Sequence, residues 1–267
     1  MHHGRIKMHK VGLPVRPIVS AVGSCTYDMA MYVAKILKPY AQQCDSLVRN
    51  TAHFVEKLQE LDLEDDEVMV SFDVKSLFTS VPVRDALTVV RKMLEEDNDD
   101  FQVRTGHTVD TVMEMLQVCI SCTNFKFGGK HYQLEDGLAM GSPLSPVVAN
   151  IFMADLEQKA LDQFNTRPSF WCRFVDNVFS IVKRAVVKEL LDHLNRRHDS
   201  IKFTVEEECQ GKLPFLDVCA NRNGNKILTS VYRKPTHSGR YLQYTSNHPD
   251  HVKRGVLRSL MRRTQYI

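Results

Sequence analysis

The sequence predicts an α+β fold, an antiparallel sheet with helices packed against it. Two observations carry that expectation. The apolar runs Val68–Phe72, Phe170–Val175 and Val178–Val182 are short and rich in β-branched and aromatic residues, and the last two flank an Asp176-Asn177 pair, the pattern of a β-hairpin. Around them lie longer stretches whose apolar residues recur at three- and four-residue steps, the period of an amphipathic helix.

Taken in order, the first 25 residues read as strands, and helices are expected over Tyr27–Tyr40 and Asp45–Leu61, where Leu47, Thr51, Phe54, Val55 and Leu58 keep the helical step. A strand over Val68–Val74 follows. Helices over Val83–Glu96 and Val109–Thr123 lead to a hairpin over Phe125–Leu134 that turns at Gly128-Gly129. Gly137 and Gly141 then precede a helix beginning at Ser142, into which the apolar Val147–Met153 runs. Beyond the Asp176 hairpin come a helix over Ala185–Arg197, a strand over Ile201–Glu207, and two strands, Leu216–Asn221 and Lys226–Arg233, joined through Asn223-Gly224-Asn225. A basic helix, Pro249–Gln265, comes last.

At 267 residues and 43% hydrophobic, the chain can bury a core as one domain or as two closely joined subdomains. It has no apolar run of membrane-spanning length and no signal-peptide pattern, so a soluble, intracellular protein with no membrane contact is expected. Seven cysteines without regular spacing argue against a disulfide scaffold, and Cys119-Ile120-Ser121-Cys122 sits on a helical apolar pattern that favours buried thiols over a metal site. Charge is uneven. From Lys226 to Ile267 nine Lys/Arg face one acid, a net +8, which leaves −5 for the rest of a chain whose total is +3. Arg5, Lys7, Lys10 and Arg16 make the other end basic too, and positive walls around an acidic centre suit a phosphate backbone.

That centre is the pair Asp73 and Asp176. Asp73 ends the first strand and Asp176 lies in the hairpin turn. Turn chemistry alone accounts for many such aspartates. If the two meet, their charges repel unless hard cations lie between them, and two Mg²⁺ about 4 Å apart are the usual arrangement for in-line phosphoryl displacement. Nucleotidyl transfer is implied. The glycines of Gln133–Pro146 fit it, because a residue without a side chain lets the backbone approach a base pair or sugar.

The ordered segments SFDVKSLFTSVP (71–82), DGLAMGSPLSPVVANIFM (136–153), RFVDNVF (173–179), IKFTVEEECQGKLPFLDV (201–218) and VYRKPTHSGRYLQYTSNHP (231–249) resemble the reverse transcriptase of Penelope-like retroelements, a group related to telomerase. Lys7–Ser20 is similar to that family's fingers motif, and the resemblance runs from about residue 5 to residue 265.

The resemblance implies a right-hand polymerase palm with partial fingers (1–66), a palm with a fingers insertion (67–240) and a basic helix leading to a thumb (241–267). It implies that Asp73 and Asp176 hold two Mg²⁺, with Mn²⁺ able to substitute, that the Val74 carbonyl completes one shell, and that Arg16 grips the incoming triphosphate. Phe78 would meet the 2′ position of the incoming sugar and exclude a hydroxyl there, which points to deoxynucleoside triphosphates. Gly137, Gly141 and Ser142 would line the nucleotide, and Tyr232, Arg233 and Lys234 would position the primer strand. The partners implied are an RNA template and a DNA primer, in a transposable element's nuclear enzyme. Lys202 stands near the place of a proton-donating lysine, but an exposed strand lysine describes it better.

Two departures stand out. Asn177 replaces the family's second aspartate, and an amide can ligate Mg²⁺ without supplying charge. The chain also starts inside the fingers and stops near Ile267, short of the full thumb and of the GIY-YIG endonuclease many members carry. A catalytically impaired nucleic-acid-binding remnant is therefore the alternative reading. An RNA-templated RNA polymerase is a third, which Phe78 disfavours.

Overall fold

The computed structural model describes residues 2–6, 15–19, 21–127 and 129–267. Of the fingers-like stretch only Val15–Val19 falls within them, and of the Gly128-Gly129 turn only Gly129. The strands β1 (His2–Ile6) and β2 (Val15–Val19) pair antiparallel, with Arg16 opposite Arg5. Next come α1 (Tyr27–Gln42), α2 (Thr51–Gln59), β3 (Glu67–Val74), α3 (Leu77–Ser80), α4 (Val83–Glu96), α5 (Asn98–Thr105) and α6 (Val109–Ser121). The hairpin β4 (Phe125–Phe127) and β5 (Lys130–Tyr132) leads to α7 (Ser145–Asp162), β6 (Phe170–Phe174), β7 (Asn177–Lys183) and α8 (Val187–Arg197). The chain continues through β8 (Phe203–Glu207), β9 (Lys212–Phe215), β10 (Val218–Asn223), β11 (Lys226–Val231) and α9 (Asp250–Tyr266).

These elements form two compact units. One comprises Met1–Ser46, Val74–Arg167 and Leu190–Thr204, the other Leu47–Asp73, Pro168–Glu189 and Val205–Ile267. In the first, α1 and α4 pack against α7, and α6 packs against both α1 and α4. Helix α7 buries Val148, Ile151, Phe152, Met153 and Leu156, residues spread over more than half of its circumference, as a central helix requires. The second unit carries the sheet β6-β7-β3-β8 and the meander β11-β10-β9. Its core joins Phe54 of α2 to Phe179 and Phe215 at ring distances of 5.1 and 4.7 Å, with Met69, Cys172, Ile181 and Val218 around them. Aromatic pairs at such distances add about 0.5–1.5 kcal/mol each to their area term.

Several expectations need correction. The helix predicted over Asp45–Leu61 begins only at Thr51, because Asn50 is extended (φ −168°) and its side chain accepts the His53 N–H at 2.9 Å, an N-cap. Leu47 instead bridges to Arg173. Helix α7 begins at Ser145 rather than Ser142. That start puts Pro146 in the first turn, where its missing N–H costs nothing. In the β10–β11 hairpin Asn223 pairs with Lys226, so the turn is Gly224-Asn225 with Gly224 at φ 62°. The short helices α3 and α5 and strand β9 lay outside the periodicity reading. Within the CxxC only Cys119 is buried, and burial, then the neighbouring Cys122, pushes its thiol up; Cys122 is exposed at the helix end.

Candidate active site

In the second unit β3 reaches Asp73, which stands directly opposite Asn177 in the β3–β7 register. Asn177 also pairs with Phe174 across the β6–β7 hairpin. The two-residue loop is therefore Val175-Asp176, one residue earlier than the Asp-Asn turn expected. A place in the ladder between two strands outweighs the local turn preference of asparagine. Asp176 thus sits at the end of the sheet beside the residue that faces Asp73, and both aspartates are half-buried.

The turn is strained and braced. Val175 adopts φ 58°, a left-handed backbone that costs a β-branched residue on the order of 1–3 kcal/mol. The Asn177 amide donates to Asp176 Oδ1 at 2.9 Å, so asparagine occupies part of the neighbouring carboxylate. Arg173, inside what the sequence presents as an apolar run, is 0% exposed, and its Nη1 donates to the Val175 carbonyl at 3.2 Å. Its own carbonyl accepts the Val48 N–H at 2.8 Å. One arginine in an apolar strand just before the turn was the signal that could have found this brace.

In the first unit the chain leaves Val74 through Ser76, at φ 53°, into α3. As a helical turn, this segment points successive side chains about 100° apart. Leu77 is buried at 2% and Phe78 half-buried. The Phe78 carbonyl accepts the Leu138 N–H at 2.6 Å, so the glycine segment is tied to the residue after α3 begins. Gly137 has φ 86°, and a Cβ there would lie 2.8 Å from the Thr79 carbonyl oxygen. What this glycine approaches is the protein's own backbone. Gly141 has φ 124°. The Ser142 hydroxyl accepts the Leu144 N–H at 3.3 Å, and Ser145 Oγ donates to the Ala139 carbonyl at 2.7 Å. Asp136 Oδ1 accepts the N–H groups of Gly137 (2.8 Å) and Val83 (3.2 Å), anchoring the segment to the start of α4. Lys202 Nζ donates to the carbonyls of Asn195 and His198, which makes it a cap of α8.

Arg16 lies on β2, away from either group in sequence. Tyr232, Arg233 and Lys234 line a groove of about 640 Å³ in the second unit, walled on the other side by Val256, Leu260 and Arg263 of α9. Asp217 ties the two walls: its carbonyl accepts the Tyr232 N–H at 2.8 Å and its carboxylate the Arg263 guanidinium at 2.9 Å. The outer face of α9 exposes Arg254, Arg258 and Arg262.

The donor set at Asp73 and Asp176 is hard oxygen. Among the described residues no group of three or more His, Cys, Asp or Glu could hold a metal. Mg²⁺ is held typically by one or two carboxylates, with water and substrate phosphates filling the rest of its shell, so the chemistry of the two aspartates suits that ion. No helix among the described residues is long and apolar enough to cross a membrane.

Solved structures agree in fold. Telomerase from Candida tropicalis in complex with a fragment of telomeric RNA is 16% identical, with TM-score 0.60, covering 90% of this chain and 46% of that one. Telomerase from Candida albicans, also with an RNA fragment, is 11% identical, with TM-score 0.57, covering 86% and 40%. The BmCPV RNA-dependent RNA polymerase at its elongation state is 10% identical, with TM-score 0.51, covering 78% and 20%. The chain thus spans less than half the length of the telomerase chains it matches. Among curated proteins, none matches it in sequence. Residues 240–267 match the animal helix-turn-helix domain. Residues 14–210, most of the chain, match the reverse transcriptase (RNA-dependent DNA polymerase) family, and with a polymerase-like α/β fold around the Asp73 and Asp176 strands the chain belongs to that family.

Proposed function

We propose that this chain is the polymerase domain of a Penelope-like retroelement, extending a DNA primer on an RNA template with deoxynucleoside triphosphates. The observation that carries the reading is the register that sets Asp73 opposite Asn177, next to the Asp176 turn. Asp73, Asp176 and the Val74 carbonyl would hold divalent cations. When bound, such cations lower the pKa of a primer 3′-hydroxyl and neutralise charge on departing pyrophosphate. Asp73 and Asp176 orient that hydroxyl's approach, Arg16 contacts the triphosphate, and Phe78 closes the space beside the sugar's 2′ carbon. Gly137, Gly141 and Ser142 shape the wall next to the nucleotide. Tyr232, Arg233 and Lys234 hold the primer strand along their groove.

Primer extension on a defined RNA template, with Mg²⁺ or Mn²⁺ and with each nucleotide class, tests this. Extension with deoxynucleotides that Asp73→Ala and Asp176→Ala each abolish is the expected result. The hydrogen bond from Asn177 to Asp176 favours a second reading, an impaired enzyme that still binds primer-template. Duplex binding without extension under either metal would select it.

A further inference from the structure

We infer that Arg173 is a positioning residue for the candidate metal turn. Its guanidinium holds Val175 in the left-handed conformation and thereby fixes the direction of the Asp176 carboxylate. The inference rests on reading Asp176 as a metal ligand. Four observations support it. Arg173 is 0% exposed, its Nη1 lies 3.2 Å from the Val175 carbonyl oxygen, Val175 has φ 58°, and Asp176 follows directly. A β-branched residue leaves that region unless something holds it. The arginine can hold it because its own backbone is pinned, bridged to Leu47 and hydrogen-bonded by Val48 N–H at 2.8 Å. A planar guanidinium in a packed interior gives the carbonyl a donor of fixed direction, and without it the Val175 carbonyl loses that donor.

A strain-relief cycle tests this against mere core packing. Glycine occupies φ 58° at no steric cost, so Val175→Gly removes the need for the clamp. Amide hydrogen exchange from Val175 to Val178 is measured without metal, and Mn²⁺ binding is measured by electron paramagnetic resonance. Arg173→Met should speed exchange at these amides and weaken Mn²⁺ binding about tenfold, the usual scale for a residue supporting a metal ligand. The double variant Arg173→Met/Val175→Gly should recover both, since a lost packing contact is not restored by a glycine in the turn. If Arg173→Met does not fold, Arg173→Lys with and without Val175→Gly reads the same cycle. Unchanged exchange in the single variant, or no recovery in the double, overturns the clamp. Exchange that follows the expected pattern while the wild-type chain binds no Mn²⁺ overturns the metal reading and leaves the clamp standing.

Discussion

At the scale of single residues, Phe78 and Asn177 determine what the proposed site would make and how well. Phe78 is half-buried beside buried Leu77. Phe78→Val should admit ribonucleotides at least about tenfold better, a change of about 1.4 kcal/mol in relative barrier, read as the ratio of ribonucleotide to deoxynucleotide incorporation. Unchanged discrimination in an active enzyme places the ring in the core. Asn177 donates to Asp176, spending carboxylate capacity on an internal hydrogen bond. Asn177→Asp removes that donor and adds charge where a divalent cation would sit. Extension should rise about tenfold and depend less on Mn²⁺, whose shell tolerates imperfect oxygen geometry better than that of Mg²⁺. Both effects are read in one primer-extension series, and a substitution that changes neither points away from this position.

At the scale of elements, the glycine segment and the α1–α5 contact make separable predictions. Gly137 combines φ 86° with a Cβ position 2.8 Å from Thr79 backbone, whereas Gly224 has φ 62° and open space. Gly137→Ala should cost about 2–4 kcal/mol in urea unfolding and Gly224→Ala only about 1, because only the first adds a clash to the backbone strain. Equal losses would mean the close approach relaxes freely. In the first unit Tyr40 donates to Asp97, and Arg104 donates to both Tyr40 and, at 2.9 Å, Asp97. Burial, then the hydrogen bond to Asp97, pushes the Tyr40 hydroxyl up to about 12, so its contribution is full below its ordinary pKa of about 10 and is lost as pH rises through the higher value. Asp97 is held below the usual carboxylate range by its hydrogen bonds from Tyr40 and then Arg104, so its share is present above that range and is lost as pH falls through the lowered value. Tyr40→Phe should lower the urea midpoint at neutral pH and flatten its decline between about pH 10 and 12. A decline as steep as in the wild type would assign that flank to other groups.

At the scale of the whole molecule, the net +8 of residues 226–267 against −5 elsewhere predicts salt-dependent binding to duplex. Arg254, Arg258 and Arg262 repeat every four residues along α9, about 6 Å apart, and all are exposed. If they face phosphates, replacing all three by alanine should reduce the slope of log affinity against log salt by about 3, one per lost contact. A slope unchanged by the triple replacement would assign the binding to other cations.

Much of this architecture was legible in the sequence because hydrophobic period and turn chemistry are local properties. Val83–Glu96 is helical over the residues its apolar period marked, and the strand that carries Asp73 pairs with the one that follows the Asp176 turn. The motifs of the family fixed which residues to weigh. Other features depended on contacts between distant segments. Asn177 joined the ladder because two strands claimed its backbone, so the turn moved to Val175-Asp176. Gly137 proved to be a backbone contact only once Thr79 lay against it, and Arg173 a buried brace only once β6 was packed. Sequence determined most of the longer elements and the chemistry available at their ends. Tertiary structure alone decided which group several of those residues meet, because burial and pairing depend on segments distant in sequence, as when Val48 N–H finds the carbonyl of Arg173.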